Sequence, residues 1–265
     1  MKEFEVTFEA ISEKLKGLPY PRANFVTNPA PDGFPLNLEV VDDLDLAKLK
    51  LTLKEGKEED YFLNPHLYIS RLNLWISDGH RYLPAMTALL KYLGDSQDKN
   101  PGKILSIDLD YFSRFAESSL LSESLKLLTG ACEAARNYDL VIADLHEDIS
   151  GLSHLTRPEL NYQDVVTATD KGQIRDENFI HFMGIERTLI VKPPLLEFFP
   201  TLGERNGILV ANPDQLITEH GGVLHCVKAF DMIHICTSPG YIGLSRAFKV
   251  LELIHRQLYS EVRNS

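Results

Sequence analysis

The stretch NYDLVIADLHEDISG, residues 137–151, ends an apolar run with Asp144, His146 and Asp148 on alternate positions. A β-strand sends residues i, i+2 and i+4 to one side. A strand continuing through this run therefore presents two carboxylates and an imidazole on one face, an arrangement that attracts cations. Two other apolar runs stop in a similar way: LWISDGH in Asp78 and His80, and ILSIDLDYF in Asp108 and Asp110.

Each motif also has an ordinary reading. SDGH serves as a turn after a strand, with Asp and Gly as turn formers. Solvated acids can end a surface strand at DLHED. IDLDYF resists such a reading, because Asp108 and Asp110 lie among Ile, Leu, Tyr and Phe, where an unpaired carboxylate is costly to desolvate. Two acids on one face of a buried strand repel each other unless a metal or a base lies between them.

Taken together, the three strand ends offer His80, Asp108, Asp110, Asp144, His146 and Asp148, two imidazoles and four carboxylates. Mixed nitrogen and oxygen donors without sulfur suit Mn(II) or a similar divalent ion better than a structural zinc. Two ions sharing bridging carboxylates are the natural fit to that inventory. A pair of divalent ions lowers the pKa of a water between them and delivers hydroxide to an electrophilic carbon near neutral pH.

The elements that must position these donors follow from pattern. Strand candidates are LYISRLNLWIS, KILSIDLDYF, DLVIADLHED, TLIVKPP, GILVAN and MIHICTS, separated by amphipathic stretches such as RYLPAMTALLKYLGD, SESLKLLTGACEAARN and LSRAFKVLELIHRQLYSEV. Such alternation implies an α/β fold, a mostly parallel sheet covered by helices on both faces. Ligands in such sheets sit at the carboxyl ends of the strands. Residues 1–60 read as an irregular lead-in in which LNLEV and KLKLTL suggest a hairpin, and the whole chain, 1–265, reads as one domain. HICTSPGYIG ends a strand at Ser238, Pro239 and Gly240 and forms a plausible pocket wall.

Composition restricts the partners. A net charge of −11 and a pI near 5.3 argue against nucleic acid, which needs a basic footprint. Three cysteines, Cys132, Cys226 and Cys236, are odd in number and lack C-x-x-C spacing, so buried free thiols are expected. The N-terminal MKEFEVTFEAISEKLKG carries acids where a signal peptide needs an apolar core, and no window is long and apolar enough for a membrane span. A cytoplasmic location, away from membranes, is the expectation.

With these motifs in place, the sequence resembles the arginase/deacetylase superfamily of ureohydrolases, whose ligands come from Gly-Asp-His, Asp-x-His-x-Asp and Asp-x-Asp segments at strand ends. SDGHRYLPAM, ILSIDLDYFS and HICTSPGYIG look like the divergent branch that includes the peptide arginases. The resemblance covers roughly residues 66–250. It implies a three-layer α/β/α fold, a binuclear Mn(II) centre and conversion of arginine side chains in a ribosomal precursor peptide to ornithine and urea. It also implies a proton-shuttling histidine, for which His154 is the candidate, and a glutamate beside the guanidinium, for which Glu147, Glu186 and Glu219 are available. Motif order departs from the family's, since IDLDYF here precedes DLHED, and SDGH inverts the usual Asp-His adjacency. Which of Asp144, His146 and Asp148 ligate directly is thereby left open. A one-metal, deacetylase-like amidohydrolase and a non-catalytic module binding basic peptides are the alternatives. His220 and His225 read as turn residues.

Overall fold

Short apolar runs of β-branched and leucine residues, each stopped by polar residues, build strands only a few residues long. The structure, a computed structural model, describes residues 38–45, 66–77, 79–87, 102–145, 164–165, 167–168, 171–175, 178–194, 203–205, 208–218 and 226–263. Its strands are β1 (Leu38–Val41), β2 (His66–Ile69), β3 (Leu74–Ser77), β4 (Ile104–Asp108), β5 (Leu140–Ala143), β6 (Thr188–Val191), β7 (Gly203–Arg205), β8 (Ile208–Ala211) and β9 (Met232–Cys236). They form one sheet in the order β1-β2-β3-β9-β4-β5-β6-β8-β7. The six strands from β3 to β8 in that order run parallel. Antiparallel pairing is confined to β2–β3 and β7–β8 among the described residues. The expected mostly parallel α/β sheet is thus present.

Alternation sorts the side chains into two cores. Leu74, Ile76, Leu105, Ile107, Val141, Ala143, Ile233 and Ile235 belong to one. Trp75, Ile104, Leu140, Ile142, Ile190 and Met232 belong to the other. Both faces of the sheet are therefore buried, as parallel sheets require.

Helices α1 (Leu120–Ala134), α2 (Ile180–Met183), α3 (Pro213–Leu216), α4 (Cys226–Ala229), α5 (Pro239–Ile242) and α6 (Leu244–Arg263) follow in chain order. On α6, Ala247, Val250, Leu251, Ile254 and Leu258 are buried at helical spacing, while Lys249 and Arg256 lie exposed. Truncating Ile254, which is fully buried, to Ala should cost about 2–5 kcal/mol. Gly130 on α1 lets α3 approach closely: a Cβ there would meet Pro213 Cα at 3.3 Å, so that backbone would have to give by a few tenths of an ångström. Pro213 opens α3 behind a capping box in which Asn212 and Gln215 satisfy each other's backbone N–H groups.

Several expectations are corrected. LYISRLNLWIS is not one strand: it turns through Ser70–Leu72 and Asn73, whose φ is 49°, so β2 and β3 are antiparallel neighbours. Asparagine tolerates this left-handed conformation, and that tolerance was the overlooked turn signal. β7 was not anticipated. In the lead-in, Leu38–Val41 pairs in parallel with β2, and the other half of the expected hairpin lies outside the described residues. The cysteines are not all free. Cys132 on α1 and Cys226 on α4, 94 positions apart, form a disulfide with Cα atoms 5.5 Å apart, leaving Cys236 as a buried thiol. Spacing along the chain could not show a pairing made by helix packing. No described helix is long and apolar enough to cross a membrane.

Candidate metal centre

Parallel strands bring their carboxyl ends to one edge of the sheet. Register places Asp108 of β4 beside Cys236 of β9, and Ser77 of β3 beside Cys236 on its other side. Asp144 follows directly on β5, its N–H donating to Val191 O at 3.2 Å. Because side chains alternate, Ser106 and Asp108 on β4 share a face with Ile104, and His234 on β9 shares that face with Met232. A polar patch therefore continues the second core toward the carboxyl edge.

His80 enters this patch from the loop after β3. Gly79 is extended at φ −159°, and His80 opens a 3₁₀ turn, His80–Tyr82. Its ring is buried and stacks on Phe179, with centroids 4.9 Å apart and planes 11° from parallel. Its Nε2 lies 3.5 Å from Asp108 Oδ2. One donor atom each from His80, Asp108 and Asp144 fall within 4.8 Å of one another, and all three residues are buried. Metal–ligand bonds of about 2.1 Å place donors roughly 3–4 Å apart around one ion. Donors within 4.8 Å of one another lie near the spacing that a single divalent cation requires. Among the described residues the cluster supplies three protein donors, the number that catalytic sites use.

Asp108 is held on both oxygens. Oδ1 accepts from the Asp110 N–H at 3.1 Å, and Oδ2 accepts from the Ser238 hydroxyl at 3.0 Å. Burial raises its pKa well above the usual carboxylate range, and the charges of Asp110 and Asp144 push the same way, while those two hydrogen bonds pull it back. A cation among these carboxylates would reverse that balance.

Asp110 departs from expectation in one respect. β4 ends at Asp108, which caps a 3₁₀ turn over Leu109–Phe112, so Asp110 is buried in that turn rather than on the strand face. It is not among the three clustered donors. The turn is clamped from α6, where Arg246 donates to the carbonyls of Phe112, at 2.9 Å, and Phe115. His146, Glu147, Asp148, His154, Glu219, His220, His225 and Asp78 lie outside the described residues. Glu186 is exposed and precedes β6, at the opposite end of the strands from the patch.

Four further residues belong to this edge. Ser77, Ser106 and His234 form a buried hydrogen-bonded chain leading to His80: His234 Nε2 is 2.6 Å from Ser77 Oγ, and Ser106 Oγ is 2.8 Å from His234 Nδ1 and 2.9 Å from His80 Nδ1. Lys192, wholly buried, follows β6 as Asp144 follows β5. The signals were present in LWIS, ILSID, MIHIC and LIVKPP, each with one polar residue set into an otherwise apolar run. Comparison of the chain with protein-family models, curated proteins and solved structures found no match in any of the three.

Proposed function

We propose that the chain is a metal-dependent hydrolase of C–N bonds, with a divalent cation held by His80, Asp108 and Asp144. The single observation behind this reading is that buried cluster, three donors converging within 4.8 Å at the carboxyl edge of a parallel sheet. A divalent ion there would supply Lewis acidity and a water made nucleophilic near neutral pH. The chain's own part is to fix the donors: Asp108 through Ser238 and the Asp110 backbone, His80 through Ser106 and the Phe179 ring.

The substrate reading is arginine within a peptide. Water adds to the guanidinium carbon, the bond from that carbon to the side-chain nitrogen breaks, and the products are ornithine and urea. The likeness of SDGH, IDLDYF and DLHED to ureohydrolase motifs supports this, as does the acidic balance of the chain, which suits a basic partner. In this reading the fold is arginase-like and the ion is Mn(II). A second ion draws on Asp110, His146 and Asp148, with Glu147 beside the guanidinium and His154 moving a proton.

A one-metal amidohydrolase is the second reading, favoured by a specific observation: the clustered donors suffice for one ion. Incubation with Mn(II) and Arg-containing peptides, followed by mass spectrometry, separates the two. Loss of the amidine carbon with its two nitrogens supports the arginase reading. Deacylation of an acyl-lysine peptide instead supports the amidohydrolase, and neither reaction with no bound metal leaves a binding module.

A further inference from the structure

The buried chain leading to His80 has a direction, and the direction decides what His80 offers the site. Ser106 Oγ lies 2.9 Å from His80 Nδ1 and 2.8 Å from His234 Nδ1. A hydroxyl has one proton, so it donates to one of these nitrogens and accepts from the other. Two neutral imidazoles sharing Ser106 must therefore be opposite tautomers.

The far end selects which is which. His234 Nε2 lies 2.6 Å from Ser77 Oγ, and the Ser77 hydroxyl donates to the Gly79 carbonyl at 2.9 Å. A carbonyl can only accept, so Ser77 uses its proton there and accepts from His234 Nε2–H. His234 Nδ1 then carries a lone pair, Ser106 donates to it, and Ser106 accepts from His80 Nδ1–H. His80 Nε2 is left with its lone pair toward Asp108 Oδ2, 3.5 Å away. Run the other way, the chain would give up the Ser77 hydrogen bond to the Gly79 carbonyl and turn an N–H onto Asp108, closing the site to a cation.

We propose that Gly79, Ser77, His234 and Ser106 form a one-way hydrogen-bond chain that locks His80 as its Nδ1–H tautomer, making His234 a positioning residue for the cation. The proposal rests on the reading of His80, Asp108 and Asp144 as a cation site. Fixing the tautomer of a ligating histidine through its other nitrogen is a general means of raising metal affinity. Here a Ser–His–Ser chain does so in place of the more usual carboxylate, and it adds no negative charge to a patch already rich in it. Trp75 holds the His234 ring in place, with centroids 4.5 Å apart.

The test is long-range proton–nitrogen NMR of the metal-free, ¹⁵N-histidine-labelled protein, with assignment by single-histidine variants. Expected is a protonated Nδ1 and a bare Nε2 on His80, with the reverse on His234. A bare Nδ1 on His80 in the wild type overturns the proposal. His234→Phe removes the acceptor for the Ser106 proton, which then turns to His80 Nδ1. That variant should show Nε2–H on His80 and bind Mn(II) or Co(II) about 10–100-fold more weakly by calorimetry, and His234→Gln should restore part of the loss. Unchanged affinity and tautomer in a folded His234→Phe overturn it as well. If that variant does not fold, the wild-type spectrum still decides. The expected tautomers with no metal bound by the wild type would uphold the chain and reject the cation reading, so the two fail separately.

Discussion

Ser238 donates its hydroxyl to Asp108 Oδ2 at 3.0 Å from a backbone held at φ 36°, in the left-handed region that non-glycine residues avoid. The strain falls on the residue that joins β9 to α5, where the chain must turn sharply to bring the hydroxyl over the carboxylate. Strained conformations collect at sites where position matters more than local comfort.

Two substitutions separate hydroxyl from strain. Ser238→Ala keeps the strained φ and loses the hydrogen bond to a carboxylate, so it should lower stability by about 1–3 kcal/mol. Ser238→Gly loses the same bond and relieves the strain, partly offset by glycine's unfolded-state entropy, and should be the more stable of the two by up to about 1 kcal/mol. Urea denaturation with a common m-value reads both. Alanine more stable than glycine would show that the backbone is not strained there.

Asp108 gives a pH prediction for the metal-free protein. Its folded pKa lies above the ordinary value of 3.8, from burial and then from Asp110 and Asp144. The folded state therefore holds a proton that the unfolded chain has released. Stability from this group is fully present below the ordinary carboxylate pKa and is lost as pH rises through the raised one. Asp108→Asn should flatten that fall and raise the melting temperature of the metal-free protein at pH 7.5, by about 2–4 °C for each kcal/mol recovered. The same variant should show no metal-induced rise in melting temperature. A lower melting temperature with metal stabilisation intact would refute the site.

Donor roles can be ranked by metal analysis after dialysis. His80→Ala and Asp144→Ala each remove one of the three clustered donors and should leave less than a tenth of the metal bound. Asp110→Asn leaves all three in place and should retain at least one ion per chain, while losing any second. Equal loss in all three variants would put Asp110 in the same coordination sphere.

The Cys132–Cys226 bridge joins α1 to α4 beneath α6. Thiol titration of the unreduced, denatured protein should find one thiol, that of Cys236, and three after reduction. Closing so long a loop stabilises a fold by roughly 2–4 kcal/mol. Cys132→Ala should lower stability by that amount while leaving metal binding unchanged, since the bridge lies on the opposite face of the sheet from the donors. Three thiols without reductant would exclude the bridge.

Much of this arrangement was legible in the order of residues. β4, β5, β6, β8 and β9 all fall within apolar runs visible in the sequence, and His80, Asp108 and Asp144 stand out as polar residues where such runs stop. Alternation does not extend to Asp110, because the strand ends at Asp108, which captures the next amide but one and starts a turn. At Asn73 the turn signal is obscured by apolar residues on both sides. The chain from Ser77 through His234 and Ser106 could not be read at all, since it joins β3, β9 and β4. Their adjacency is a matter of strand order, and β9 inserts between two strands that precede it by more than 120 residues.

Lys192 brings electroneutrality to bear on the number of ions. Among the described residues, Asp108, Asp110 and Asp144 carry three negative charges at this edge when ionised, and the buried Lys192 supplies one positive charge beside Asp144 in the strand order when protonated. One divalent ion balances the remainder. A second would leave an uncompensated double positive charge in a buried site, which is prohibitive without further anions. The ion count is thus tied to whether Asp148 and a hydroxide join the centre, and replacing Lys192 with a neutral side chain should shift the balance toward two ions.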